Sequence, residues 1–262
     1  MLLSEPPPSQ GDLHFRIFGF PVRVHPMFWL VTGIMGFQSG EKGGTPPGEL
    51  LSWVAVVFVS ILIHELGHAV LQRRYGGHPW ITLYGLGGLA SCDDCDRSPR
   101  SQIIISLAGP VAGFLLAGAV VLLMGLGGHP IAFEWGAHAQ GALTLTDPKG
   151  FGLFRLWVYW ESLASSWANE VVLDALWINV MWGAINLLPI YPLDGGRVAR
   201  EVFTLQHPRR GIVLSLQISA IAAIAMAIVG ALVWKSLFTA LMFGYLAYSN
   251  YQTLQAYREN RW

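Results

Sequence analysis

The segment SILIHELGHAVLQRR places His64 and His68 four residues apart, with Glu65 next to the first histidine. On an α-helix this spacing puts both imidazoles on one face, where they can converge on a single cation. Glu65 is then close enough to reach a water on that cation without being a ligand itself. A catalytic zinc takes three protein ligands and keeps one position open for water. The ion lowers the pKa of that water, and a nearby carboxylate takes the proton as a carbonyl is attacked. The competing explanation is a chance match in a core helix. It must account for three ionisable groups in an apolar stretch, where each costs about 2.5–3.5 kcal/mol at the centre of a bilayer.

Two histidines are not a complete ligand set. One known arrangement places a third histidine six residues after the second, but position 74 is Arg74 and position 71 is Leu71. Glu134 is the next glutamate downstream, and Asp93, Asp94 and Asp96 crowd into a polar loop. The preferred candidate is Asp194 in INLLPIYPLDGGRVAR. Pro189 and Pro192 interrupt helical hydrogen bonding there, and Gly195 and Gly196 allow unusual backbone angles beside the carboxylate. Unwound backbone inside a membrane protein is tolerated where it lines a cavity. The alternative is a Pro/Gly turn in which Asp194 caps the next helix.

These groups need elements to hold them. The chain has 262 residues, 53% hydrophobic and 12% charged, and no net charge. A soluble domain carries about a quarter charged residues, so lipid is the expected solvent. The charge balance excludes nucleic-acid binding through a basic field. Apolar runs at Leu50–Val70, Ile103–Leu126, Val171–Ile190, Gly211–Val233 and Ser236–Tyr251 approach the roughly 20 residues a membrane helix needs, and Pro26–Phe37 is a shorter sixth. The expected fold is an all-α polytopic membrane protein of about six transmembrane helices. A short strand is expected at His14–Val24 and a β-hairpin over Ile81–Ser91, after the second span. Residues 38–49 and 127–170 are expected to be connecting loops. Phe151, Phe154, Trp157, Tyr159, Trp160 and Trp167 in the second loop suit the headgroup layer. The N-terminus does not read as a signal peptide.

Six spans put twelve arginines, among them Arg73, Arg74, Arg197 and Arg200, on one side of the membrane. Lys42, Lys149, Arg155 and Lys235 fall on the other. That asymmetry predicts cytoplasmic termini. Arg73 lies nine residues beyond His64, about 13–14 Å along a helix, so the metal is expected below the cytoplasmic surface and short of the midplane.

The motifs HELGH at 64–68, LAGPVAG at 107–113 and NLLPIYPLDGGR at 186–197 resemble the site-2 protease family of intramembrane zinc metalloproteases, in the same order and spacing. The resemblance runs from about Phe15 to Tyr251. It implies that His64, His68 and Asp194 bind zinc and that Glu65 is the base. Asn186 would hold the substrate carbonyl or oxyanion, and Gly109-Pro110 would shape the third span. Many relatives have asparagine where this chain has Gly113, and no PDZ or CBS domain is expected. The implied protein is one membrane-embedded peptidase domain over 1–262, with a catalytic core at about 50–200. It would cut membrane-spanning or membrane-associated proteins.

Lesser features have plainer explanations. The Ile81–Ser91 edge could hold an extended substrate by strand addition, or simply connect two helices. Cys92 and Cys95 lack the second pair that a four-thiolate site needs, and read as free cytosolic thiols. His25, His78, His129, His138 and His207 read as surface or packing residues. The rival function is a non-proteolytic metal-binding membrane protein, a transporter or chaperone. It would need a polar path, and GIVLSLQISAIAAIAMAIVGALV and SLFTALMFGYLAY of the last two spans offer only scattered hydroxyls and Gln217. A third option is a surface-bound peptidase acting on soluble peptides.

Overall fold

The computed structural model describes residues 5–38, 45–136, 145–153 and 155–259. Expectations resting on Lys42, His138, Phe154 and Arg261 lie outside those residues. Strands β1 (Leu13–Ile17) and β2 (Phe20–Val24) precede helices α1 (Pro26–Gln38) and α2 (Pro47–Arg74). Strands β3 (Trp80–Tyr84) and β4 (Gly87–Ser91) lead into α3 (Pro99–Leu126). Strands β5 (Ile131–Trp135), β6 (Pro148–Leu153) and β7 (Leu156–Glu161) follow, then α4 (Ser166–Asn186), α5 (Asp194–Gln206), α6 (Gly211–Leu232) and α7 (Leu237–Glu259).

The alternation over His14–Val24 predicts one strand, but the structure has two. Phe18 and Gly19 take positive φ angles of 49° and 84°, which turns the chain back on itself as a hairpin. β2 then pairs in parallel with β3, and β4 closes the sheet antiparallel in the order β1-β2-β3-β4. Phe20, Val22, Val24, Ile81 and Leu83 form its buried face. The N-terminal arm is tied to this sheet by Glu5, which accepts bonds from Thr82, Trp80 and Arg23.

Residues 127–170 are not an irregular loop. They hold a three-stranded antiparallel sheet in the order β5-β7-β6. Trp160 of β7 packs into a core with Ala117 and Met124 of α3 and Leu176 of α4. On the opposite face, Gly150 and Gly152 leave room for the Tyr159 and Trp157 rings, which stack with planes 8° apart. Aromatic residues suit the headgroup layer, yet Trp157 and Tyr159 also alternate with the period of a strand. The tip residues Phe133 and Trp135 stay exposed.

By length and composition α2, α3 and α6 are able to cross a membrane. α1 is apolar but shorter. α4 carries Glu170 and Asp174, and α7 carries Asn250 and several hydroxyls. Leu115, Leu122, Leu123 and Leu126 of α3 and Ile221 and Leu232 of α6 are exposed, a pattern that fits lipid contact.

The chain divides into two compact units. One is Met1–Leu66, Trp80–Ser91 and Val111–Gly183; the other is Gly67–Pro79, Cys92–Pro110 and Ala184–Trp262. In the second unit α6 and α7 pack as a helical hairpin, and the amphipathic helix α5 lies against α6. α5 fills the stretch between the apolar runs Val171–Ile190 and Gly211–Val233.

Candidate metal centre

α2 runs 28 residues without a break, so His64 and His68 sit one turn apart on it. His64, Glu65 and His68 are 3%, 5% and 7% exposed. His68 Nδ1 lies 2.7 Å from the carbonyl of Ile105 on α3. A carbonyl only accepts, so Nδ1 carries the proton and Nε2 presents its lone pair. Asp194 Oδ2 lies 3.3 Å from that Nε2. The ligand atoms of His64, His68 and Asp194 all fall within 4.8 Å of one another.

These donors fit a small divalent ion. Two ligands about 2.0–2.1 Å from a tetrahedral zinc stand roughly 3.3 Å apart, which matches the His68–Asp194 separation. A charge-assisted hydrogen bond would bring the same atoms to about 2.7–2.9 Å. Buried ionisable groups without compensation cost several kcal/mol each, and a cation among these three offsets that cost. The Ile105 carbonyl, one turn before Gly109-Pro110, fixes the His68 tautomer as outer-shell partners of metal sites do.

Asp194 is the first residue of α5. The N-cap is Leu193, with no side-chain cap, so Asp194 is not a capping residue. Neither Gly195 nor Gly196 has a positive φ. Their role is close approach instead. A Cβ on Gly195 would strike the Leu187 and Leu188 carbonyls, and one on Gly196 would strike Ile190 and Tyr191. The chain 187–191 therefore folds directly onto the first turn of α5.

That fold-back is held from two more helices. Tyr191 N–H donates to Ser219 Oγ of α6 at 3.0 Å, and its carbonyl accepts from Asn250 Nδ2 of α7 at 2.6 Å. Arg197 Nε donates to the Pro192 carbonyl, and Arg200 lies over the Tyr191 ring. Ser219 and Asn250 are fully buried. The sequence reading missed both as site residues. Isolated polar groups in apolar spans were the available signal.

Glu65 lies outside the trio of donors and faces β4. A Cβ on Gly88 would overlap Glu65 Cγ and sit 2.6 Å from Oε1, so a larger residue on this edge strand must displace the Glu65 side chain. Asn186 is the last residue of α4 and is 8% exposed. Asn179 Oδ1 lies 3.7 Å from where a Cβ on Gly113 would stand.

Two of the other acidic candidates have partners of their own. Asp94 binds His78, Asp96 accepts from Ser98 at the start of α3, and Glu134 lies in β5. Cys92 and Cys95 are not free thiols: they form a disulfide. Their Cα atoms stand 5.8 Å apart, inside the range a bridge spans.

The chain is similar to known proteins over most of its length. It is 28% identical over 208 residues to the putative zinc metalloprotease Rip3 of Mycobacterium tuberculosis, covering 73% of this chain and 43% of that one. It is 25% identical over 217 residues to the zinc metalloprotease MJ0392 of Methanocaldococcus jannaschii, covering 79% and 48%. It thus spans under half the length of these curated relatives. The solved site-2 protease from Methanocaldococcus jannaschii shares the fold, with a TM-score of 0.52 at 22% identity, over 93% of this chain and 95% of that one. The model for peptidase family M50 matches residues 52–233, and the chain belongs to that family.

Proposed function

We propose that this protein is an intramembrane zinc metalloprotease that hydrolyses peptide bonds of membrane-spanning or membrane-associated proteins. The observation that carries this reading is the buried trio His64, His68 and Asp194, with buried Glu65 next to His64 in the chain and outside the group. His64, His68 and Asp194 would hold a divalent ion, which when bound would supply a Lewis acid and lower the pKa of a water. Glu65 accepts the proton of the attacking water and returns it to the leaving amide nitrogen. Asn186 donates its amide N–H to the carbonyl oxygen as negative charge builds there. Edge strand β4, passing Glu65 at Gly88, aligns an extended substrate by strand addition. An unwound substrate is required, because a helical one hides its peptide bonds.

The six helices α1, α2, α3, α4, α6 and α7 cross the membrane, which puts both termini on one side, and the arginine excess there makes that side the cytoplasm. The chain works as one peptidase domain with its core at about 50–200. The transporter or chaperone reading needs free polar groups along the last two helices, whereas Ser219 and Asn250 are spent on the Tyr191 backbone.

The test is metal content of the purified protein measured beside cleavage of single-span substrates. Glu65→Gln keeps the ion and loses cleavage. Full cleavage by that variant overturns the mechanism.

A further inference from the structure

A second group of donors, sharing no residue with the trio, lies where β4 joins α3. Cys92, Asp94 and Cys95 each offer a ligand atom, and these atoms lie within 4.8 Å of one another. Asp94 Oδ1 is 3.4 Å from Cys92 Sγ. The carboxylate is held from its other side by His78, whose backbone N–H lies 2.8 Å from Oδ1 and whose Nδ1 lies 2.6 Å from Oδ2. Gly77 packs onto both sulfurs, and a Cβ there would overlap them. Gly77 N–H donates to the Gln72 carbonyl at the end of α2, and Cys95 Sγ lies 3.6 Å from the same carbonyl. The loop is thus built against one turn of backbone, while the His78 and Asp94 side chains are 90% and 52% exposed to water.

We propose that Cys92 and Cys95, once reduced, form a second cation site for a thiophilic divalent ion of the zinc class, with Asp94 as third donor and His78 orienting its carboxylate. Two thiolates and a carboxylate this close repel one another. The sulfur–sulfur bond present here relieves that; once it is reduced the sulfurs stay protonated as thiols until a cation between the donors replaces the protons. Thiolate donors select zinc-like ions over hard cations such as magnesium. His78 plays the part that outer-shell partners play at metal sites. In the reduction, two equivalents of an external thiol break the Sγ–Sγ bond, leaving two cysteine thiols and one external disulfide. Ion uptake then releases the two thiol protons to solvent. The loop joins β4, which passes Glu65 at Gly88, to α3, whose Ile105 carbonyl holds His68.

The test uses the full chain in detergent with the buried centre silenced by His64→Ala/His68→Ala. After reduction by a phosphine, this chain binds one Co²⁺ with the near-ultraviolet absorption of a cobalt–thiolate bond, and zinc displaces it. The oxidised chain shows no such band, and Asp94→Asn weakens binding about tenfold or more. In the unmutated chain, the zinc content rises from one to two per chain on reduction and stays at one in Cys92→Ser/Cys95→Ser. Absence of the band in the reduced chain, or a second zinc retained by Cys92→Ser/Cys95→Ser, overturns the proposal. Neither result depends on cleavage, so failure of this site and failure of the protease reading are separable.

Discussion

Two groups of metal-type donors, each drawn together within 4.8 Å, stand in opposite surroundings. His64, His68 and Asp194 are buried, while the sulfurs of Cys92 and Cys95 lie half-buried beside an exposed carboxylate. The buried trio is fixed by backbone. Ile105 sets the His68 ring, two glycines let the chain close onto α5, and Tyr191 is pinned from α6 and α7. The surface group rests on one connection and one turn of α2, and its sulfurs are free to bridge. Donor identity is therefore a weak guide by itself. Burial decides which group is geometrically locked, and exposure decides which one can change state.

The largest effect that separates the two falls on Glu65. Glu65→Gln is expected to lower the cleavage rate by about 10³-fold or more, the upper range of general-base catalysis, with zinc at the buried trio unchanged by mass spectrometry. Equal cleavage would mean that the buried group is not the chemical one. Next comes the clamp on Tyr191. Asn250→Ala is expected to weaken zinc affinity and activity by about 10–100-fold, as loss of a supporting shell does. Asn250→Ala leaves the cobalt–thiolate signal of the surface group intact, and a loss at both groups would show general unfolding instead. Gly88→Ala is smaller. A Cβ there displaces the Glu65 carboxylate and is expected to cost about tenfold in kcat at constant metal content, since misplacing a reacting group by an ångström is costly. Cys92→Ser/Cys95→Ser is expected to leave zinc at the buried trio within twofold of the unmutated chain.

The smallest effect concerns neither group. Asp12 is held at a pKa of about 2 by the Ser9 backbone N–H, the Ser9 hydroxyl and Arg23. A carboxylate with a depressed folded pKa stabilises the fold above its ordinary value near 3.8 and loses that contribution as pH falls toward 2. Loosening of the N-terminal arm, followed by amide exchange at Ser9 and Asp12, is expected within that window and not above it.

Much of the centre was legible because helix periodicity is local. The four-residue step from His64 to His68 needs only α2 to be a helix, and its apolar neighbours ensure that. The spans at α2, α3 and α6 follow from runs of apolar residues in the same way. The sheet β5-β7-β6 was not legible, because aromatic residues suited to a membrane surface also suit a strand. The turn at Phe18 was missed because nothing local marks a phenylalanine for positive φ. The thiols at Cys92 and Cys95 were misread because their pairing depends on how β4 enters α3.

The amino-acid order alone determined the chemical vocabulary: two imidazoles on one helical face, a carboxylate beside them, and a second carboxylate in a Pro/Gly-rich break. The tertiary structure decided which acid completes the trio, which carbonyl sets the imidazole, and which distant helices hold the break in place. The physical reason is range. Backbone hydrogen bonding dictates spacing within a turn, whereas the meeting of α2 with Asp194, and of Tyr191 with Ser219 and Asn250, depends on packing between segments far apart in the chain.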